Sequence, residues 1–223
     1  MNRIMEQICL KKFLLHYFLL SILLIISLTF LDLPVFTILN KSLALNNIHG
    51  SFWAILNHPR EKYLNMVVML SILGVIIARS KEPWNALRFV ILASIWLQFA
   101  IMFAHYQIEK VFLRPSPSLA IGNFVELKQF FPQFEFRQFS RSSMPSGHAL
   151  ATTYWYLACT SLTKEKLLKG IVVFITTILI FNRLFAGLHW LSDSIASILI
   201  AYLWFYLLSI GLIKLKIIKS HKR

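Results

Sequence analysis

Arg183-Leu184-Phe185-Ala186-Gly187-Leu188-His189-Trp190-Leu191-Ser192-Asp193 is the stretch that decides how this chain is read. It straddles two apolar runs, about residues 170–187 and 190–212, each near the length that crosses a bilayer. An arginine, a histidine and an aspartate are expensive at the edges of such runs, which makes them functional candidates by default. The spacing of His189 and Asp193 places them one helical turn apart, on a shared face. A carboxylate that accepts the proton of one imidazole nitrogen fixes the tautomer and aims the other nitrogen at a substrate. That prepares a nucleophile, and the arginine beside it points to a phosphate as target.

Outward from this stretch, further apolar runs occupy about 13–31, 63–78, 86–106 and 148–163. The pattern predicts an all-α fold, a polytopic membrane bundle of about six transmembrane helices in one integral-membrane domain over residues 1–223. Composition agrees. The 223 residues are 57% hydrophobic and 14% charged, with a mean hydropathy of +0.66. A soluble domain has about 45–50% apolar and about 25% charged residues. The runs at 63–78 and 148–163 are short for a hydrocarbon core of about 30 Å, which takes roughly 20 helical residues. The first run follows Lys11 and Lys12 without a prompt small-residue cleavage pattern, so it reads as an uncleaved anchor. Cys9 and Cys159 lie in or beside apolar segments and imply packing rather than a disulfide framework.

The formal charge of +14 falls mostly between the apolar runs and at the termini, which favours anionic lipid headgroups over nucleic acid. Lys and Arg divide 14 to 9 across the bundle when the loops alternate sides. The richer side holds Arg3, Arg79, Lys81, Lys164, Lys166 and the carboxyl-terminal lysines, so the positive-inside rule places both termini in the cytoplasm. Arg114 follows the third run, His148 opens the fourth, Arg183 closes the fifth, and His189 and Asp193 open the sixth. With this count all of them emerge together on the outer face. Between the runs, residues 34–62 alternate apolar and polar groups and read as short interfacial helices. The phenylalanines at 124, 130, 131, 134, 136 and 139 read as a loop core or interfacial belt rather than a lipid guide.

Pro145-Ser146-Gly147-His148 reads as a turn feeding a helix, with Ser146 able to cap it and free N–H groups at its start suited to phosphate. An anion bound there favours protonated His148, a general acid. Arg114 and Arg183 can hold the equatorial oxygens of a phosphoryl group in transit, and Arg141 is a further candidate. No His-Glu-x-x-His or cysteine-pair motif is present and the arginines repel a cation, so neither a metal nor another cofactor is expected. A non-catalytic anion transporter would also place arginines and histidines inside a bundle, and stays open on these features alone.

Arg114-Pro115, then Pro145-Ser146-Gly147-His148, then Arg183, His189 and Asp193 in the spacing R-x5-H-x3-D resemble the type 2 phosphatidic acid phosphatase superfamily. The resemblance covers about residues 105–200. It implies a six-helix membrane bundle and metal-independent cleavage of a phosphoester or pyrophosphate. It implies His189 as the phosphorylated nucleophile, Asp193 as its orienting partner and His148 as the acid for the leaving group. Arg114, Ser146, Gly147 and Arg183 would hold the phosphate. Two positions depart from the pattern. Gln107 stands where the family has lysine, and Asn182 stands where it usually has serine. Glutamine donates a hydrogen bond without charge, and Lys110, one turn on, can substitute. Gln107-x6-Arg114, Ser140-Arg141 and Gly187-x-His189-Trp190 are similar to the lipid A phosphotransferases, which move phosphate from undecaprenyl pyrophosphate to lipid A in the periplasm. Leu56-Asn57-His58-Pro59-Arg60 resembles an outer-loop segment of those enzymes. Undecaprenyl pyrophosphate phosphatases share the core motifs and pass the phosphoryl group to water. The resemblance thus implies an inner-membrane enzyme with a lipid phosphate or pyrophosphate substrate, hydrolytic or, alternatively, transferring to lipid A.

Overall fold

A computed structural model describes residues 10–215, and these form helices and connecting loops without a strand. In chain order the helices are α1 (Leu10–Leu45), α2 (Asn47–Leu56), α3 (Glu61–Ala78), α4 (Pro83–Ile108), α5 (Pro117–Ile121), α6 (Gly147–Leu162), α7 (Lys166–Phe185) and α8 (Leu191–Lys214). Among them α1, α3, α4, α7 and α8 are long and apolar enough to cross a membrane. The chain is a multi-pass membrane protein. Arg3, Cys9, Lys216, Lys219, His221, Lys222 and Arg223 lie outside the described residues.

The one remaining expected span, the fourth in chain order, is α6, and its 16 residues extend only about 24 Å at 1.5 Å each. It tolerates that length because protein, not lipid, surrounds it. One face (Tyr154, Leu157 and Ala158) packs on Phe89 and Ala93 of α4 and on Ala201, Phe205 and Leu208 of α8. The other face, Trp155 and Cys159, meets Leu73 and Ile76 of α3 and Leu168 and Val172 of α7. The outer helices reverse this pattern. Phe18, Leu19 and Ile25 of α1, Leu64 and Leu70 of α3, Ile95 and Phe99 of α4 and Phe174 of α7 all stay exposed. Apolar surface on that scale is stable only against hydrocarbon.

The first helix runs past its expected end at residue 31. Its turn Ser27–Leu31 is π-helical, and the N–H of Asp32 bonds to the Ser27 carbonyl five residues back. One inserted residue advances the helical phase by about 100°. Asp32 therefore turns inward, where it is 5% exposed, instead of ending the span in water. Residues 34–45 are thus a continuation of α1 and not a separate interfacial helix. Only Asn47–Leu56 is a short helix of its own, with the Asn46 side chain accepting from the Ile48 N–H at 2.8 Å. Its inner face, Trp53 and Ala54, packs with Leu43, Leu127, Phe185, Ala186 and Leu188 in a cap over the end of the bundle.

That cap also orders the long loop between α5 and α6. Buried Asn40 receives the Val125 N–H at 2.7 Å and donates to the Phe185 carbonyl at 3.1 Å. Gln138 receives the Leu127 N–H at 2.7 Å and donates to the Ala186 carbonyl at 3.0 Å. Phe130, Phe131 and Phe136 pack against the same cluster, so these phenylalanines build the loop's core. Gly187 closes the turn between α7 and α8 at φ 71°, where its carbonyl accepts from both the N–H and the Oγ of Ser118. A Cβ there would collide with Ser118 Oγ. Gly187→Ala is accordingly expected to destabilise the protein by about 2 kcal/mol, from strain at positive φ plus the clash. An unchanged thermal midpoint in detergent would contradict this.

Candidate active site

Four helix ends and one loop meet at the capped end of the bundle. The N-terminus of α6 is set by Ser146, whose Oγ accepts from the Ala149 N–H at 3.3 Å, as its position before the apolar run predicts. The Ser146 N–H in turn reaches the Asp193 carbonyl at 3.4 Å, which ties the start of α6 to the start of α8. The N–H groups of Gly147 and His148 have no carbonyl one turn behind them to bond. A Cβ built at Gly147 meets no atom within 4 Å.

Arg114 arrives on the loop after α4 and is clamped from two sides. Its Nη2 donates to Asp32 Oδ2 at 2.6 Å; its Nη1 donates to Ser192 Oγ at 2.6 Å and lies 3.3 Å from Asp193 Oδ1. Its guanidinium stacks 4.7 Å over the Trp190 ring, and the Trp190 indole N–H donates to the Pro115 carbonyl at 2.9 Å. Asp32 does a second job. It accepts from the Ser192 N–H at 2.9 Å and from Ser192 Oγ at 2.6 Å, satisfying the first turn of α8. Sequence reading missed Asp32, although a carboxylate closing an apolar run is the same signal that marked the arginines.

His189 sits just before α8, and this changes its partnership with Asp193. The helix begins at Leu191 with Trp190 as its cap, so Asp193 occupies the third helical position. Its Oδ2 accepts from the Trp190 N–H at 2.8 Å and lies 3.7 Å from His189 Nδ1. That is an ion-pair distance, too long for a hydrogen bond. The expectation of one shared helical face fails because His189 is not in the helix. Nδ1 instead lies 2.8 Å from the Ser143 carbonyl. A carbonyl only accepts, so Nδ1 carries the hydrogen and the neutral ring keeps its lone pair on Nε2. Ser143 is itself fixed by its N–H donating to the Arg114 carbonyl at 2.8 Å.

A second constellation surrounds Arg183, which is 7% exposed at the end of α7. Its Nη2 contacts Glu61 Oε1 and His148 Nε2, and its Nη1 donates to Asn57 Oδ1 at 3.1 Å. Glu61 Oε1 also lies 3.3 Å from His148 Nε2, while Glu61 Oε2 accepts from Asn65 Nδ2 at 2.6 Å. Asn57 contacts Asn182, whose Nδ2 donates to the Leu56 carbonyl at 2.9 Å. The departure from serine at Asn182 is therefore occupied in holding the α2–α3 loop. Glu61 was not expected from the sequence, where only the apolar run opening after it gives a signal; Asn57 lies in the Leu56–Arg60 segment noted for its resemblance, which carried no site role. Arg137 of the loop lies near enough to act on His148 through its charge.

Seven of the ten expected residues come together here: Arg114, Ser146, Gly147, His148, Arg183, His189 and Asp193. Gln107, Lys110 and Arg141 make no hydrogen bond or ion pair with them. Gln107 is exposed on the π-helical last turn of α4, Lys110 places its Nζ 5.5 Å from the Tyr106 ring centre, and Arg141 is exposed on the loop. An amine that rests on its neighbour's ring gives no sign of replacing the absent lysine. Among the described residues no group of three or more His, Cys, Asp or Glu side chains is placed to hold a metal ion.

Chemically, the site offers an imidazole with a free ring nitrogen, a second imidazole, two buried or half-buried guanidiniums and a helix N-terminus. No curated protein and no solved structure matches the chain significantly. The model of the PAP2 superfamily matches residues 86–215, more than half of the chain and the segment that carries every one of those groups. The chain belongs to the PAP2 superfamily and, with it, to the membrane phosphatases that act on lipid phosphates.

Proposed function

We propose that this protein cleaves a lipid-linked pyrophosphate, with undecaprenyl pyrophosphate as substrate, through a phosphohistidine at His189 and without a metal. The observation that carries this reading is the 2.8 Å contact of His189 Nδ1 with the Ser143 carbonyl, which leaves Nε2 as the nucleophilic atom. Nε2 attacks the terminal phosphorus, and the bond from that phosphorus to the bridging oxygen breaks. His148 gives its proton to the departing lipid phosphate. Water then attacks the phosphorus, loses its proton to His148, and releases inorganic phosphate and neutral His189. Arg183, Arg114 and the N–H groups at Gly147 and His148 offset the charge that builds on the oxygens. Asp193 acts at one remove, by holding Arg114 and the Trp190 backbone beside the nucleophile.

The site belongs on the periplasmic face of the inner membrane, with both termini cytoplasmic. Support comes from the charge distribution of 14 to 9 and from the meeting of four helix ends at one end of the bundle. The opposite end carries the exposed Arg79–Glu165 pair at 2.9 Å and the lysines beside it. One assay decides the outcome. Purified protein receives undecaprenyl pyrophosphate labelled on the terminal phosphate, with and without lipid A, in the presence of a chelator. Label released as free phosphate in both tubes is the expected result. Label moving onto lipid A would make the protein a transferase, the reading favoured by its motif details. Inactivity restored only by a divalent cation would overturn metal independence, and no release at all would overturn the donor.

A further inference from the structure

Three polar atoms converge on one point in the Arg183 constellation: Arg183 Nη2, His148 Nε2 and Glu61 Oε1. Two of them are the nitrogens that the proposed reaction gives to the phosphate. The third is an oxygen already bonded to both. Arginine holds a phosphate side-on through Nε and one Nη together. In Arg183 the Nε is buried without a hydrogen-bond partner, although the side chain is 92% buried by its 8% exposure. An orphaned buried N–H is costly and is usually satisfied. Glu61 thus takes one arm of the fork and leaves the other unfilled.

We propose that the Glu61 carboxylate is an internal competitor for the phosphate seat, standing where a substrate oxygen must go and withdrawing from Arg183 and His148 when the substrate enters. This rests on the reading of the site given above. The carboxylate has reasons to be there. Glu61 is the first residue of α3, where the helix end favours a negative charge, and Asn65 holds its second oxygen. It also keeps Arg183 from being a buried charge with no counterion, which would be strongly destabilising. Once a doubly charged phosphate arrives, that compensation is no longer needed, and two anions cannot share one guanidinium arm at full strength. Glu61 then has a defined consequence: it weakens the hold on the inorganic phosphate product, the one ligand with no lipid contacts to keep it in place.

Inorganic phosphate is the direct probe, bound to the purified full-length protein in detergent and followed by calorimetric titration. Glu61→Gln keeps the shape and the Asn65 contact while removing the charge. It is expected to bind phosphate about tenfold more tightly, the size of effect that a single like charge in contact commonly has on an ionic equilibrium. Asn65→Ala, which frees the carboxylate to swing away, should move the affinity in the same direction by less, and serves if Glu61→Gln does not fold. A control replaces Arg183 and Glu61 by glutamine together, so that no buried charge stands alone, and should lose binding. Unchanged or weaker binding by Glu61→Gln, with binding lost in the control, would overturn the competitor and leave the phosphate seat standing. Full binding by the control would overturn both. A carboxylate with a purely structural role gives no gain of affinity in any of these variants.

Discussion

His189→Ala is expected to bring turnover of a labelled lipid pyrophosphate down to background, a loss on the order of 10⁴-fold or more, because no covalent intermediate can form. The fold should survive. The histidine lies before α8 rather than within it, and its one hydrogen bond in the structure goes to the Ser143 carbonyl. Losing such a bond costs about 1 kcal/mol. The clean measurement is a rapid alkaline quench after mixing with terminally labelled substrate, followed by counting label on the protein. Wild-type protein should carry alkali-stable, acid-labile label, and the variant none. Label retained by His189→Ala at the wild-type level would remove His189 as the nucleophile, whatever its turnover.

Asp32→Ala should damage both stability and activity, and it tests a residue far from the recognisable motifs. Its carboxylate, 5% exposed, accepts from Arg114 Nη2, the Ser192 N–H and Ser192 Oγ. Alanine leaves the Ser192 N–H without an acceptor at the start of α8 and deprives Arg114 of its shorter ion pair. Breaking a buried pair costs about 3–5 kcal/mol; Arg114 is about a quarter exposed and keeps Asp193, so about 3 kcal/mol is expected. Turnover should fall on the order of 10²-fold, the penalty for a phosphate-binding group displaced by an ångström or so. Asp32→Asn, which retains an acceptor for Ser192, should recover more stability than activity. Thermal unfolding and kcat measured on the same preparations separate the two effects. A variant with wild-type kcat would show that Arg114 needs no anchor on α1.

Much of the fold was legible because the membrane constrains it. Each apolar run read as a span corresponds to a helix, with ends shifted by only a few residues except in α1. That exception has a physical cause. Asp32 and Pro34 look like the end of a span, yet a π-helical turn rephases the helix and carries the carboxylate inward. The Ser146 cap was legible because it depends on four consecutive residues, Ser146 to Ala149. The Asp193–His189 contact was misread because the same four-residue spacing means different things inside a helix and across its first turn.

The sequence by itself determined that this chain crosses a membrane as helices, and that Arg114, His148, Arg183, His189 and Asp193 emerge at one end. Both follow from local rules: a backbone in hydrocarbon must satisfy its own hydrogen bonds, and the parity of spans assigns the ends. Only the tertiary structure decided which carboxylate answers which arginine. Asp32 meets Arg114 across 82 positions and Ser192 across 160, and Glu61 meets Arg183 across 122. No periodicity encodes such pairs. They form because packed helices leave each buried charge only one or two partners within reach, and burial makes the unpaired alternative too costly to persist.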